Sequence, residues 1–451
     1  MSQATPPAGR FDHLRGALRE FPALLWSFLY FFFLLTGYYV LRPVRDAMGA
    51  ANDASAVFPV AMVEWFALRG VSLGDYQLQL LFTATFLSML ALQPVYGALV
   101  ARFPRRLFLP VVYLAFIACL LAFRFAFEAG MPGRGGLFFV FVAVFNLFAV
   151  SVFWSFMADI YTDPQAKRLY GFIAAGGTLG GLLGPEITSR LVGQLGVGNM
   201  LLVSAGFLGL CLACILRLAP WARAREQAAG LRSGEEAMGG RVLDGLRRIA
   251  TDPLLRAFAI LMFFGVGVGT LLYNEQNAIV RAMTLGNPAA AEEATAFFST
   301  LDKWVNWLVL LLQVLVTRAV LVRWGVAPLL IGPALAILAG FCVLWASPLP
   351  MLVAVVQVGT RASEFALAKP ARETIYTRVD REARYKSKAA IDTVVYRGGD
   401  LTFAWLYKPL SIFGSSIVFA SGTLVAGGLL YGAWRLVREQ ARLPEPDRPG
   451  S

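Results

Sequence analysis

Apolar residues in this chain gather into runs long enough to cross a bilayer, and polar residues fill the short gaps between them. A helix needs about 20 apolar residues to traverse the hydrocarbon core. By that measure the pattern predicts spans near 22–47, 78–101, 106–127, 136–159, 168–190, 198–218, 254–281, 297–320, 326–347, 350–372, 387–409 and 411–435. The stretch from Gly49 to Gln77 is too polar to join them and reads as an external loop with a short surface helix. The predicted fold class is an all-α integral membrane protein with about twelve transmembrane helices.

Composition supports this. The apolar fraction is 58%, above the roughly 45–50% of soluble domains. The net charge is +12, and its distribution decides what it means. Basic residues cluster in one set of gaps: Arg10, Arg15 and Arg19; Arg102, Arg105 and Arg106; Lys167 and Arg168; the central loop; Arg318 and Arg323; Arg372 to Lys388; and the C-terminal tail. The alternate gaps hold Arg69, Arg134, Arg190, Arg281 and Lys408. The positive-inside rule then places both termini in the cytoplasm of a cell inner membrane. It also assigns the excess charge to orientation in the lipid bilayer, not to nucleic acid. The N-terminus has no cleavable signal pattern, so the first span is expected to stay in the mature protein.

Several function classes drop out. The only histidine, His13, lies in the N-terminal tail, so a histidine relay or histidine-held metal within the membrane is excluded. Cys211 and Cys214 form C-x-x-C inside a span, with no second pair, and read as packing, as do Cys119 and Cys342. Gly265, Gly267 and Gly269 form G-x-G-x-G without a preceding strand, so they read as close packing or bending and not as a nucleotide fingerprint. The glycines 176, 177, 180, 181 and 184 read the same way. With no Walker A stretch, catalytic constellation, metal cluster or cofactor motif, the chain reads as neither an enzyme nor an ATP-driven pump.

The central loop divides the spans six to six. The expected segments are a cytoplasmic tail at 1–21, a six-helix bundle at 22–218, a cytoplasmic loop at 219–253, a second bundle at 254–436 and a tail at 437–451. Within the loop, Val242, Leu246, Ile249 and Ala250 share a helical face opposite Arg241, Arg247 and Arg248, which predicts an interfacial helix. Thr251-Asp252-Pro253 reads as the cap and first turn of the seventh span. The halves echo one another: Ile160-Tyr161-Thr162 ends the fourth span and Ile375-Tyr376-Thr377 the tenth. Two six-helix halves of like orientation are the parallel repeat of major-facilitator transporters, whose substrate site lies between the halves.

Gly97, Arg102, Arg105 and Arg106 form G-x-x-x-x-R-x-x-R-R between spans two and three, similar to the major-facilitator loop signature, with Ala101 and Pro104 replacing its usual acid and glycine. The resemblance implies an inner gate built from Arg102, Arg105 and Arg106 with Asp159, Lys167 and Arg168. Three further stretches carry a closer likeness: Leu41-Arg42-Pro43-Val44-Arg45-Asp46; Phe153-Trp154-Ser155-Phe156 running through Ala166-Lys167-Arg168-Leu169-Tyr170-Gly171 to Gly184-Pro185; and Lys388-Ala389-Ala390-Ile391-Asp392 with Arg397-Gly398-Gly399. They resemble the nucleotide transporter family, the ATP/ADP antiporters of plastids and obligate intracellular bacteria. The resemblance implies a transporter of that ancestry. Glu275 aligns with a family acid. Asp400 stands where the exchangers carry lysine, and no acid lies between Leu137 and Trp154, which departs from the family.

Charges inside spans are costly and mark candidate sites. They are Arg42, Arg45, Asp46, Glu186, Glu275, Asp302, Lys303, Arg361, Glu364, Lys369, Asp392, Arg397 and Asp400. Arg42, Arg45, Asp46, Glu275, Lys303, Arg361 and Arg397 are expected to bind substrate, and Asp400, Glu364 and Asp392 to couple transport, with Asp400 as the proton-carrying carboxylate. Spacing lets Arg42 pair with Asp46, Arg361 with Glu364, and Arg397 with Asp400, while Pro43 is expected to interrupt the first span. Arginine binds phosphate and carboxylate bidentately, so surplus buried arginine points to a small anionic substrate, a nucleotide or other phosphorylated metabolite. The alternatives are a proton-coupled carrier or exporter of another solute, and a non-transporting scaffold.

Overall fold

A computed structural model describes residues 10–102, 105–228, 242–376 and 390–442. The elements are helical throughout. In chain order the long helices are α1 (Arg10–Gly49), α2 (Gln77–Arg102), α3 (Arg105–Glu128), α4 (Arg134–Ile160), α5 (Asp163–Leu195) and α6 (Val197–Ala228). They continue with α7 (Pro253–Met283), α8 (Ala290–Trp324), α9 (Ala327–Ala346) and α10 (Pro350–Tyr376). The last two are α11 (Tyr396–Ser411), opened by a π-turn at Ile391–Val395, and α12 (Ser415–Gln440). Among the described residues, nine of these helices are long and apolar enough to cross a membrane.

The helices outrun the apolar pattern. α1 begins at Arg10, inside the expected tail, and α6 continues to Ala228, inside the expected loop. Backbone hydrogen bonding propagates past the last apolar residue, because each added residue gains a bond at the cost of ordering only itself. Pro43 does not interrupt α1, which runs through it to Gly49. Proline removes one donor, and packed membrane helices tolerate that loss. The cap at α7 forms as expected: the Asp252 carboxylate accepts from the backbone N–H of Leu254 at 2.8 Å and Leu255 at 3.3 Å.

The loop after α1 is more structured than its polarity suggests. It holds helices Ala54–Val57 and Val60–Ala67 and a 3-10 turn at Leu73–Tyr76. Val57, Phe58 and Leu73 pack with Leu81 of α2 and Phe139 of α4 in a small apolar cluster.

The largest apolar cluster joins α1, α3, α4, α5 and α6, and reaches Ala294, Phe298 and Leu301 at the start of α8. A second joins α7, α9, α10, α11 and α12. Within the first cluster, the glycines of α5 set the distance to α1. A Cβ at Gly184 would lie 2.6 Å from the Tyr39 Cβ and 2.8 Å from the Thr36 carbonyl oxygen, so only glycine permits this approach. That contact fixes the turn of α1 just before Arg42. In G-x-G-x-G of α7 only the middle residue is required by packing: a Cβ at Gly267 would meet the Phe403 ring at 2.5 Å, while Gly269 has no neighbour within 4 Å. All four cysteines are free, with Cys211 and Cys214 buried.

Two long helices also carry internal π-turns: α8 at Gln313–Thr317 and α10 at Glu364–Ala368. The Thr317 hydroxyl lies 2.8 Å from the Ala366 carbonyl oxygen and 3.1 Å from that of Leu312, so one donor serves both turns.

Candidate functional site

One turn past the glycine contact, α1 presents Arg42, Arg45 and Asp46 to α7, α8 and α10. Asp46 is 3% exposed. Its Oδ1 accepts from Arg45 Nε at 2.9 Å and Nη2 at 2.5 Å, and from the Tyr273 hydroxyl of α7 at 2.9 Å. Asp302 of α8 is 1% exposed. Its Oδ1 lies 2.7 Å from Arg361 Nη1 of α10. Its Oδ2 lies 3.6 Å from Arg42 Nε, and neither of these two buried atoms has a hydrogen-bond partner. Arg42 stands 3.9 Å from Asp46 Oδ2, with its guanidinium 5.8 Å from the Tyr39 ring centre.

Charge is unbalanced here. Arginine stays ionised in proteins, and the three guanidinium groups of Arg42, Arg45 and Arg361 face the two carboxylates of Asp46 and Asp302, leaving one positive charge over. Arg42 carries that surplus: it makes no hydrogen bond among the described residues, only the two longer ion pairs. The remaining expected residues do not share this centre. Lys303 pairs with Glu186 of α5 at 2.7 Å, and Arg190 holds the other Glu186 oxygen at 2.5 Å. Arg397 lies 3.3 Å from Asp400, which also accepts from the Thr270 hydroxyl at 2.9 Å. Glu275 accepts from the Tyr407 hydroxyl at 3.0 Å.

The expected Arg361–Glu364 pair is replaced. Arg361 turns to Asp302, and Glu364 takes both Arg372 nitrogens, at 2.5 and 3.1 Å. The π-turn at Glu364–Ala368 is the reason. A π-turn inserts one extra residue, so a separation of eight behaves like one of seven, two helical turns, and brings Glu364 and Arg372 onto one face. Asp302 and Tyr273 are the members of the centre to which sequence assigned no role. Asp302 precedes Lys303, and adjacent helical residues point about 100° apart, so only one of the two faces the centre. The side chains of Arg102, Arg105, Arg106, Lys167 and Asp392 lie outside the described residues. Asp159 is half-buried at the end of α4 and Arg168 is exposed near the start of α5.

Polar contacts also tie the halves together at the end that bears the 49–77 connection. Arg281 Nη1 reaches the Gly74 carbonyl oxygen at 2.5 Å, Asn52 reaches Thr284 at 3.2 Å, and Gln79 reaches the Ala404 carbonyl oxygen at 3.0 Å. Trp405 Nε1 donates to the Thr83 hydroxyl at 3.1 Å. These four contacts bridge this end of the bundle.

The sequence profile described as Major Facilitator Superfamily matches residues 54–367, well over half of the chain. This protein belongs to the Major Facilitator Superfamily. It is a multi-pass membrane transporter and not an enzyme. It is also similar over most of its sequence to a nucleotide carrier: it is 22% identical over 447 residues to ADP,ATP carrier protein 1 of Chlamydia muridarum, covering 85% of this chain and 80% of that one. Solved structures give the same fold. The nucleoside transporter NupG superposes with a TM-score of 0.60 at 11% identity, covering 92% of this chain and 99% of its own. A D-xylose-proton symporter gives 0.60 at 14% identity, covering 94% and 98%. The ionic centre of this major-facilitator protein draws on α1 and on α7, α8 and α10.

Proposed function

We propose that this protein is a secondary carrier of an anionic, phosphorylated metabolite, exchanging it by alternating access, with nucleotides as its first candidate substrates. The observation that carries the reading is Arg42, a partly buried guanidinium without a hydrogen bond among the described residues, in a centre with one positive charge to spare. A phosphate oxygen pair matches its fork. Arg361 and Arg45 flank it, each held in place by an aspartate. The similarity to the Chlamydia carrier supports the nucleotide choice. The gate at the opposite end is assigned to Arg102, Arg105 and Arg106 with Asp159, Lys167 and Arg168. In the test, proteoliposomes preloaded with unlabelled nucleotide receive labelled ATP, ADP, other nucleotides and sugar phosphates. Exchange of at least one nucleotide is expected. Exchange of sugar phosphates alone removes the nucleotide assignment, and no flux of any phosphorylated anion overturns the reading.

The orientation that goes with this function is twelve crossings in two six-helix halves, both termini cytoplasmic, in the inner membrane. It rests on the charge asymmetry of the loops. Reporters fused after residues 75, 195 and 290 are expected to be exported, and those after 230 and 445 to stay inside. Export of the fusion at 230 would reject the six-plus-six division.

A further inference from the structure

The connection between α1 and α2 carries a helix, Val60–Ala67, to which the transport reading gives no task. We propose that this helix lies in the bilayer surface, with Ala61, Trp65 and Leu68 inserted among the phospholipid headgroups and upper acyl chains of the leaflet at the bridged end. The inference is independent of what the arginine centre carries.

The helix has three sides. At about 100° per residue, Met62, Val63 and Phe66 share one, and they pack against the apolar cluster of Val57, Phe58, Leu73, Leu81 and Phe139. Ala61, Trp65 and Leu68, spaced i, i+4, i+7, form a second side, turned by roughly 140° from the first. Leu68 is the C-cap and keeps helical angles (φ −59°, ψ −18°), so it continues the stripe. All three are exposed, Trp65 by 50% and Leu68 by 86%. Val60, Glu64 and Ala67 make up the third side, which holds the one acid of the helix. A helix on a water-facing surface carries polar residues opposite its packed side. Here the second side is as apolar as the first and has no protein cover among the described residues. A helix apolar over most of its circumference belongs in a core or in lipid, and this one has a core on one side only.

Its depth fits. The preceding turn, Ala54–Val57, rests on the start of α4: the Gly133 N–H donates to the Ser55 carbonyl oxygen at 2.9 Å, and a Cβ at Gly136 would overlap the Val57 carbonyl oxygen. The cluster that seats the helix reaches Leu81 of α2 and Phe139 of α4, each about one turn inside the end of its span. The helix therefore sits where the apolar band of the bundle begins. Neighbouring residues at this level turn outward: Leu137 of α4 is 69% exposed, Phe125 of α3 62%, and Met131 between them 42%. The stripe of Ala61, Trp65 and Leu68 extends that lipid-facing surface.

The end of the helix supplies the complementary charge. The Arg69 guanidinium lies 3.4 Å from the Trp65 ring centre, and its Nη1 donates to the Trp65 carbonyl oxygen at 2.8 Å. Arg69 forms no ion pair among the described residues. Tryptophan favours the headgroup level, where its ring meets apolar matter and its N–H meets water. An arginine stacked on it keeps donors free for a lipid phosphate. Gly70, at φ +73°, then turns the chain back toward α2.

The test uses the full-length protein in phosphatidylcholine liposomes, with the exposed cysteines removed as Cys119→Ser and Cys342→Ser; Cys211 and Cys214 are buried and stay. A nitroxide is attached in turn at Ala61→Cys, Leu68→Cys and Glu64→Cys, and at Leu137→Cys as the lipid reference. Power saturation compares collisions with oxygen, which concentrates in lipid, and with a nickel chelate confined to water. Labels at 61 and 68 are expected to favour oxygen severalfold more than the label at 64 and to approach the one at 137. Equal access to the chelate at 61, 64 and 68 puts the helix in water and overturns the proposal. Immobilised labels at 61 and 68, shielded from both reagents, put a protein surface there, a second copy of this chain included, and overturn it equally. If the cysteine variants do not assemble, wild type and Trp65→Phe are compared in brominated phospholipid. A smaller quenched fluorescence in Trp65→Phe is expected, and no difference overturns the proposal.

Discussion

Asp302→Ala is expected to destabilise the protein more than any other single change in the ionic centre. The carboxylate is 1% exposed and holds Arg361 directly and Arg42 at longer range. Its removal leaves buried guanidinium charge without a partner, a loss of about 3–5 kcal/mol where one member of a buried pair is deleted. The measurement is thermal unfolding in detergent, together with the monodisperse yield on size exclusion. The double variant Asp302→Ala with Arg361→Ala should recover part of the lost Tm, because it removes the stranded charge along with its partner. A wild-type Tm in the single variant would show that the bridge does not hold the helices together.

Arg42→Ala is expected to abolish exchange and leave the fold almost unchanged. Among the described residues Arg42 makes no hydrogen bond, and without its longer ion pairs Asp302 and Asp46 still keep Arg361 and Arg45. Arg45→Ala should behave differently. It removes two hydrogen bonds from Asp46 and leaves that carboxylate with Tyr273 as its hydrogen-bond donor, so fold and transport should fall together. Arg42→Lys keeps the charge and loses the planar fork, and should cost about tenfold or more in exchange rate. Proteoliposome exchange measured beside Tm separates the three variants. Normal exchange by Arg42→Ala would place the anion elsewhere.

The parts legible in sequence were those that a single helix decides. Apolar runs located the long helices, and the glycine spacing of α5 pointed to close packing, though not to α1 as the partner. The charges of the centre stood out because apolar runs leave little reason to contain them. Their partners did not, because the pairing crosses between helices. Nothing near Arg361 in sequence points to Asp302 on α8, whereas Glu364 lies three residues away. Local spacing failed there because a π-turn changes the register, and no residue pattern advertises that turn. Asp302 was visible as a charge but hidden as a member of the centre, since its neighbour Lys303 offered an equally plausible cation for the same face. Helix ends were the least legible, because polar residues continue a helix as readily as they end it.

The hydroxyl shared by the π-turns of α8 and α10 has a mechanical consequence. Gln313 follows Asp302 by eleven residues, about 16 Å along the helix, whereas the turn in α10 begins only three residues after Arg361. A bend in either helix at this level stretches the bond from Thr317 to Ala366 unless the other bends with it. The two helices thus share a single elbow. The segments beyond Thr317 and Ala366 are thereby coupled, and a change of angle in one is passed to the other through that hydrogen bond.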